Sequence, residues 1–205
     1  MLFRSPQCGV VPNNGLSEIQ VFSSDGSSNT PPPASAASDD CLVGKWQFDE
    51  LTPTPSGSGT PTPTPAPILD SSGAALNGTL TGGARIPNGI SGSAISLSSG
   101  SSYVTIPNNV LLQATNGLTV SAWVYPTQQN NGAVYTIVIK GGATIDFALR
   151  VNSSGYIEFT VPDLTPAAVS GPKLPLNTWS MVTGEYDQAN QQLKIYVNEI
   201  GRAHV

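Results

Sequence analysis

Leu118-Thr119-Val120-Ser121-Ala122-Trp123-Val124-Tyr125 alternates side chains with a period of two. In an extended chain Leu118, Val120, Ala122 and Val124 fall on one side, and Trp123 and Tyr125 on the other, which is the pattern of a β-strand. With large apolar groups on both sides, a strand covered on both faces is expected. Similar short apolar runs recur outward from it, at Ala94–Leu97 and Tyr103–Ile106 before it. After it come Tyr135–Lys140, Ile145–Val151, Tyr156–Val161, Trp179–Glu185 and Leu193–Val197, separated by Gly, Asn, Ser and Pro clusters. Such punctuation predicts an all-β, antiparallel sandwich. Only Val110–Ala114 reads as a helical turn.

Toward the N-terminus, Leu42-Val43-Gly44-Lys45-Trp46-Gln47-Phe48-Asp49-Glu50 reads as a further strand with Trp46 and Phe48 on one face. The Thr/Pro-rich insert that follows, residues 52–67, has too few backbone donors to lie inside a sheet and reads as an exposed, polyproline-like loop. Its Thr-Pro alternation is also the composition of O-glycosylated stalks. Residues 6–41 read as an extended arm holding one strand, Leu16–Phe22, and a Ser/Asn/Pro/Ala-rich linker from Ser23 to Asp40 without enough apolar residues to pack.

The 205 residues include 18 prolines, 21 glycines, 8 basic and 13 acidic residues and a single histidine, with charged residues at 10%. A formal charge of −5 with scattered cations lacks the clustered Lys/Arg footprint that nucleic acid requires. Anionic membranes are disfavoured on the same ground, and no apolar run reaches the roughly 20 residues of a spanning helix. Low charge with abundant Ser, Thr, Gly and Asn reads as an extracellular or cell-surface protein.

Both ends read as translated sequencing adapter. Ile200-Gly201-Arg202-Ala203-His204-Val205 corresponds in frame to a common short-read adapter, and Met1-Leu2-Phe3-Arg4-Ser5 to its reverse complement. On this expectation residues 1–5 and 200–205 belong to no gene. Removing Arg4 and Arg202 leaves 6 basic against 13 acidic residues, a charge of about −7, and removes the only histidine. Histidine-dependent catalysis and zinc binding are then excluded.

In order along the chain, Leu42–Glu50, Leu69-Asp70-Ser71-Ser72-Gly73 with Leu76-Asn77-Gly78-Thr79-Leu80, Gly92–Leu97, Tyr103–Pro107, Leu118–Pro126, Asn177-Thr178-Trp179-Ser180-Met181-Val182 and Leu193–Asn198 form a set. This set resembles the laminin-G-like jelly-roll domains of the concanavalin A-like lectin/glucanase superfamily, of the bacterial secreted type. The resemblance covers residues 42–199 and implies a jelly-roll β-sandwich. Closing strands that the family places after Val197 are missing, so the sandwich is expected to be C-terminally incomplete. Trp46, Phe48, Val120, Ala122, Val124, Trp179 and Ile195 are expected largely inside it, and Trp123 also falls at a family core position.

Glucanases of this superfamily carry Glu-x-Asp-x-x-Glu, which sets carboxylates on one strand face for nucleophile and acid/base duty. The nearest stretch here, Glu185-Tyr186-Asp187-Gln188-Ala189-Asn190, has Asn190 in place of the third acid. It reads as a strand end and turn, and no enzyme is expected. Asp70 matches the family's loop aspartate, and Asn77 sits in the adjoining turn. The resemblance implies a structural calcium ion there, while the residues alone read as a turn cap. No other cofactor is implied. Tyr103, Tyr135 and Tyr156 are surface aromatics without a spacing that reveals a sugar platform. Cys8 and Cys41, in an exported protein, pair most simply as one disulfide closing about 33 residues and contributing roughly 3–4 kcal/mol; otherwise each has a partner outside this stretch.

These readings converge on a non-catalytic extracellular β-sandwich module of a structural or adhesive protein. A carbohydrate-binding module of a secreted enzyme or adhesin is the alternative. Expected partners are a second copy of the chain, a glycan or a surface protein, with neither nucleic acid nor membrane insertion. Self-association would run through the strand carrying Leu16, Ile19, Val21 and Phe22, added to the sheet edge left open after Leu193–Val197 in its own or a neighbouring subunit. If Leu16–Phe22 belongs instead to a preceding domain, no exchange follows.

Overall fold

The computed structural model describes residues 14–23, 42–50, 66–112, 117–128, 131–141 and 145–198. Fourteen strands occur among them: β1 (Asn14–Ser23), β2 (Leu42–Trp46), β3 (Ala66–Ile68), β4 (Gly78–Thr81), β5 (Ala84–Ile86), β6 (Ala94–Leu97), β7 (Tyr103–Thr105), β8 (Leu118–Pro126), β9 (Tyr135–Gly141), β10 (Ile145–Val151), β11 (Tyr156–Thr160), β12 (Ala168–Lys173), β13 (Ser180–Asp187) and β14 (Gln192–Val197). The one helical turn is a 3-10 turn, Val110–Leu112.

Every ladder is antiparallel. A seven-stranded sheet runs β14-β13-β8-β1-β6-β5, with β2 also paired to β1. A four-stranded sheet, β12-β11-β10-β9, and a three-stranded one, β3-β4-β7, supply the other strands. One core cluster draws on all three sheets, including Trp46, Ile95, Val120, Val182 and Ile195 from the large sheet. Phe147, Phe159, Leu80 and Val104 join it from the smaller sheets. The fold is an all-β antiparallel jelly-roll sandwich, held by burial of side chains that each contribute about 1.5–3 kcal/mol.

Two glycines leave room for core rings. A Cβ on Gly184 of β13 would lie 2.4 Å from the ring of Phe159 on the opposite sheet. One on Gly44 would lie 2.2 Å from the indole of Trp46, which folds back over its own strand. Trp46 is fully buried and donates its Nε1–H to the Leu76 carbonyl at 2.9 Å, so its polar atom is satisfied inside the core.

Several expectations change. Phe48 is fully buried but lies beyond the end of β2, with a left-handed φ of 63° that lets its ring turn into the core. Trp179 and Trp123 are only half-buried, and Trp179 rests on Tyr125 with ring centroids 5.4 Å apart. Strand β8 is therefore sealed on one face only. Ala66 and Pro67, read as the tail of the insert, form β3 with Ile68, and β12 contains Gly171-Pro172. Both are outer strands of their sheets, where a proline's missing N–H breaks no ladder. Residues 51–65 lie outside the described set.

The N-terminal strand is placed differently from expectation. Strand β1 does not lie beside β14, which remains the outer strand of the large sheet. It occupies an internal position, paired along one side with β8 and along the other with β6 and β2. Ile19 and Val21 are in register with Ala122 and Val120, whose side chains face the core.

Candidate functional site

The family-matched loop is built on Asp70. Its Oδ1 accepts the backbone N–H groups of Lys45 and Ser72, each at 2.9 Å. Oδ2 accepts the Leu76 N–H and the Ser72 hydroxyl, both at 2.9 Å. Asn77 Oδ1 in turn accepts the Asp70 N–H at 2.9 Å. Burial pushes the Asp70 carboxyl up, but the three backbone donors and the Ser72 hydroxyl outweigh it and hold its pKa below the ordinary value. Calcium needs oxygens that converge with lone pairs free. Here each Asp70 oxygen is taken by two protein donors and Asn77 Oδ1 accepts one, and no group of three or more His, Cys, Asp or Glu side chains placed to hold a metal occurs among the described residues. The donor set fits a turn lock that ties residues 70–77 to β2, and it does not fit a calcium site. Cys8 and Cys41 lie outside the described residues.

Glu185 and Asp187 alternate with buried Tyr186 on β13, so both carboxylates point away from the core, as a strand's two-residue period requires. Lys194, the cross-strand partner of Glu185, sits between them, 2.9 Å from Glu185 Oε1 and 3.2 Å from Asp187 Oδ2. Tyr196 donates its hydroxyl to Glu185 Oε2 at 2.9 Å. Asn190 donates its side-chain and backbone N–H groups to Asp187. Those two bonds, with the Lys194 ammonium, hold the Asp187 carboxyl below its usual pKa. The hydrogen bonds to Glu185 and Asp187 keep the Lys194 ammonium protonated beyond its usual range. Burial, then the bond to Glu185, pushes the Tyr196 phenol up.

A glycosidase pair needs one carboxyl held protonated as the acid. Asp187 is pulled the other way, a permanent cation stands between the two carboxylates, and Asn190 serves as a turn tie. The arrangement is a hydrogen-bonded cluster in which one ammonium bridges two carboxylates.

The same outward face carries cross-strand pairs in rows. Met181 pairs with Trp123, Thr183 with Ser121 and Glu185 with Thr119 across β13 and β8, and Tyr196 and Lys194 extend two of these rows on β14. The Ser121 and Thr183 hydroxyls share a hydrogen bond of 2.8 Å. Trp123, Tyr125, Trp179, Met181, Glu185, Lys194 and Tyr196 are all half-buried, so an aromatic stripe and a polar cluster lie side by side on one sheet face. Sequence reading placed Trp123 and Tyr125 opposite the core but took that side as covered. The joint signal was the alternation in 118–125 together with that in 180–187. Tyr103, Tyr135 and Tyr156 stand apart from this face. Tyr103 packs against the core from β7, Tyr135 bonds Asn131, and Tyr156 lies under the Lys173 ammonium at 4.9 Å.

No curated protein and no solved structure matches the chain. The laminin-G-like family pattern described as the concanavalin A-like lectin/glucanases superfamily matches residues 98–202, just over half of the sequence. With the antiparallel sandwich already established, this match shows that the chain belongs to the concanavalin A-like lectin/glucanase superfamily, as a laminin-G-like member.

Proposed function

We propose that the chain is a non-catalytic extracellular β-sandwich module of a surface or secreted structural or adhesive protein, and that it makes its contacts through the outward face of β8, β13 and β14. The observation that carries this reading is the Lys194-bridged Glu185–Asp187 cluster beside Trp123, Tyr125 and Trp179. Such a face offers stacking and hydrogen bonding without an acid/base pair. Low charge, the Thr/Pro-rich insert and the habit of laminin-G-like domains of working outside cells support the location. No helix among the described residues is long and apolar enough to cross a membrane.

The aromatic stripe favours a second reading, a carbohydrate-binding module of a secreted enzyme or adhesin, because sugars stack on such rings. Reducing-end assays on β-glucan with wild type and Glu185→Gln, run beside polysaccharide retention with wild type and Trp123→Ala, test both. The expected result is no reducing-end release from either protein. Release that disappears in Glu185→Gln would overturn the non-catalytic reading. Retention lost in Trp123→Ala would favour the glycan-binding reading over a purely structural one.

A further inference from the structure

Strand β1 holds an unusual place: it is central in its sheet, yet its covalent connection to the rest of the fold is long. It pairs with β8 from Asn14↔Pro126 to Ser23↔Leu118, with a break between Leu16 and Ile19. On its other side Asn14–Leu16 pair with β6 and Ile19–Phe22 with β2. Removing β1 would leave β8 facing β6 and β2 across a gap one strand wide, with unpaired amides and carbonyls on both walls. The core-facing Val120, Ala122 and Val124 of β8 stand beside that gap.

The end of β1 meets the start of β2, since Phe22 is in register with Leu42. A two-residue turn suffices to join antiparallel neighbours. This chain uses 18 residues, 24–41, whose apolar side chains are three alanines and three prolines besides Cys41. Eighteen residues can extend to roughly 60 Å. The linkage therefore permits insertion at home without imposing it.

We infer that the slot between β8 and the β2/β6 side accepts β1 from a second copy of this chain. The inference builds on the reading of a structural surface module and names its partner. Backbone ladders and register are the same in either arrangement, so the choice rests on concentration: a tether of this length gives the home strand an effective concentration on the order of mM. Below that the subunit closes on itself. Near it, each donor leaves its own slot for the next copy, a head-to-tail contact that propagates into a chain.

The test uses full-length protein with Cys8→Ser and Cys41→Ser. One preparation also carries Gln20→Cys and a second Ser121→Cys, the two positions being register partners on β1 and β8. The two are unfolded and refolded together at about mM concentration, the range set by the tether, and then oxidised. An interchain disulfide is expected between the two variants. It should be absent when Gln20→Cys is mixed with Ser153→Cys, an exposed turn position between β10 and β11 of a different sheet. It should also vanish when residues 24–41 of the Gln20→Cys chain are replaced by Asn-Gly, which forces the home hairpin. Folding of each preparation is checked by the cooperativity of its thermal transition. Folded protein without the interchain product, product equal to the Ser153→Cys mixture, or product that survives the Asn-Gly replacement would each overturn the inference. None of these readouts involves a glycan or an adhesive ligand, so failure here leaves the proposed function standing.

Discussion

Asp70 shows how one carboxylate organises a loop. Four donors converge on it, and Asp70→Ala leaves the N–H groups of Lys45, Ser72 and Leu76 without that acceptor. A loss of about 2–3 kcal/mol is expected, read from the denaturation midpoint, with smaller loss in Asp70→Asn, which keeps one oxygen. Because the folded pKa lies below the unfolded value of about 3.9, this stabilisation is present above that pH and fades as pH falls through the lower folded pKa. Acid unfolding of Asp70→Ala should accordingly be less steep below about pH 4 than that of wild type. Chelator should leave the wild-type melting temperature unchanged; a drop in wild type but not in Asp70→Ala would restore calcium to the loop. Tyr196 offers a spectroscopic check on the outer cluster. Glu185→Gln removes one of the two main causes of its raised pKa, so its phenol absorbance should titrate at lower pH.

At the scale of elements, Arg85 on β5 acts as a clasp. Its guanidinium meets Glu50 Oε2 at 3.0 Å and also donates to the Pro67 carbonyl. Glu50 precedes residues 51–65 and Pro67 lies just after them, so one side chain ties together the two sides of the Thr/Pro-rich insert. Arg85 and Glu50 side chains are 6% and 12% exposed, and removing one partner strands the other charge. Arg85→Ala should cost about 3–5 kcal/mol, more than the double variant with Glu50→Gln, as a double-mutant cycle would show. Strand positions in 94–97 and 145–151 were legible because apolar residues repeat every second position between turn residues. Strands β3 and β12 were not, because their prolines argue against a ladder and only the sheet order reveals that these strands need none on one side. Likewise Gly184 gave no hint of its role, since its partner Phe159 is 25 positions away on another sheet. Gly184→Ala should destabilise by about 1–3 kcal/mol through overpacking against that ring.

For the whole molecule, the three tryptophans report on two layers. Trp46 is sealed in the core, while Trp123 and Trp179 are half-buried, with Trp123 on the outward face and Trp179 against Tyr125. Acrylamide should quench most of the emission of Trp46→Phe and little of that of a Trp123→Phe/Trp179→Phe double variant. Equal quenching of both would contradict the single-sided burial of β8.

Period and turn punctuation were enough, by themselves, to determine an all-β antiparallel sandwich with Val120 and Val124 on one strand face, and the family resemblance added Trp46 and Ile195 to its core, because alternation and residue identity are local properties of the chain. Tertiary structure alone decided that β1 lies inside the large sheet, that Lys194 stands between Glu185 and Asp187, and that the Asp70 oxygens are filled by protein donors. Each of those outcomes depends on which distant segments become neighbours. A period of two places a side chain on a face, but only packing determines what that face meets.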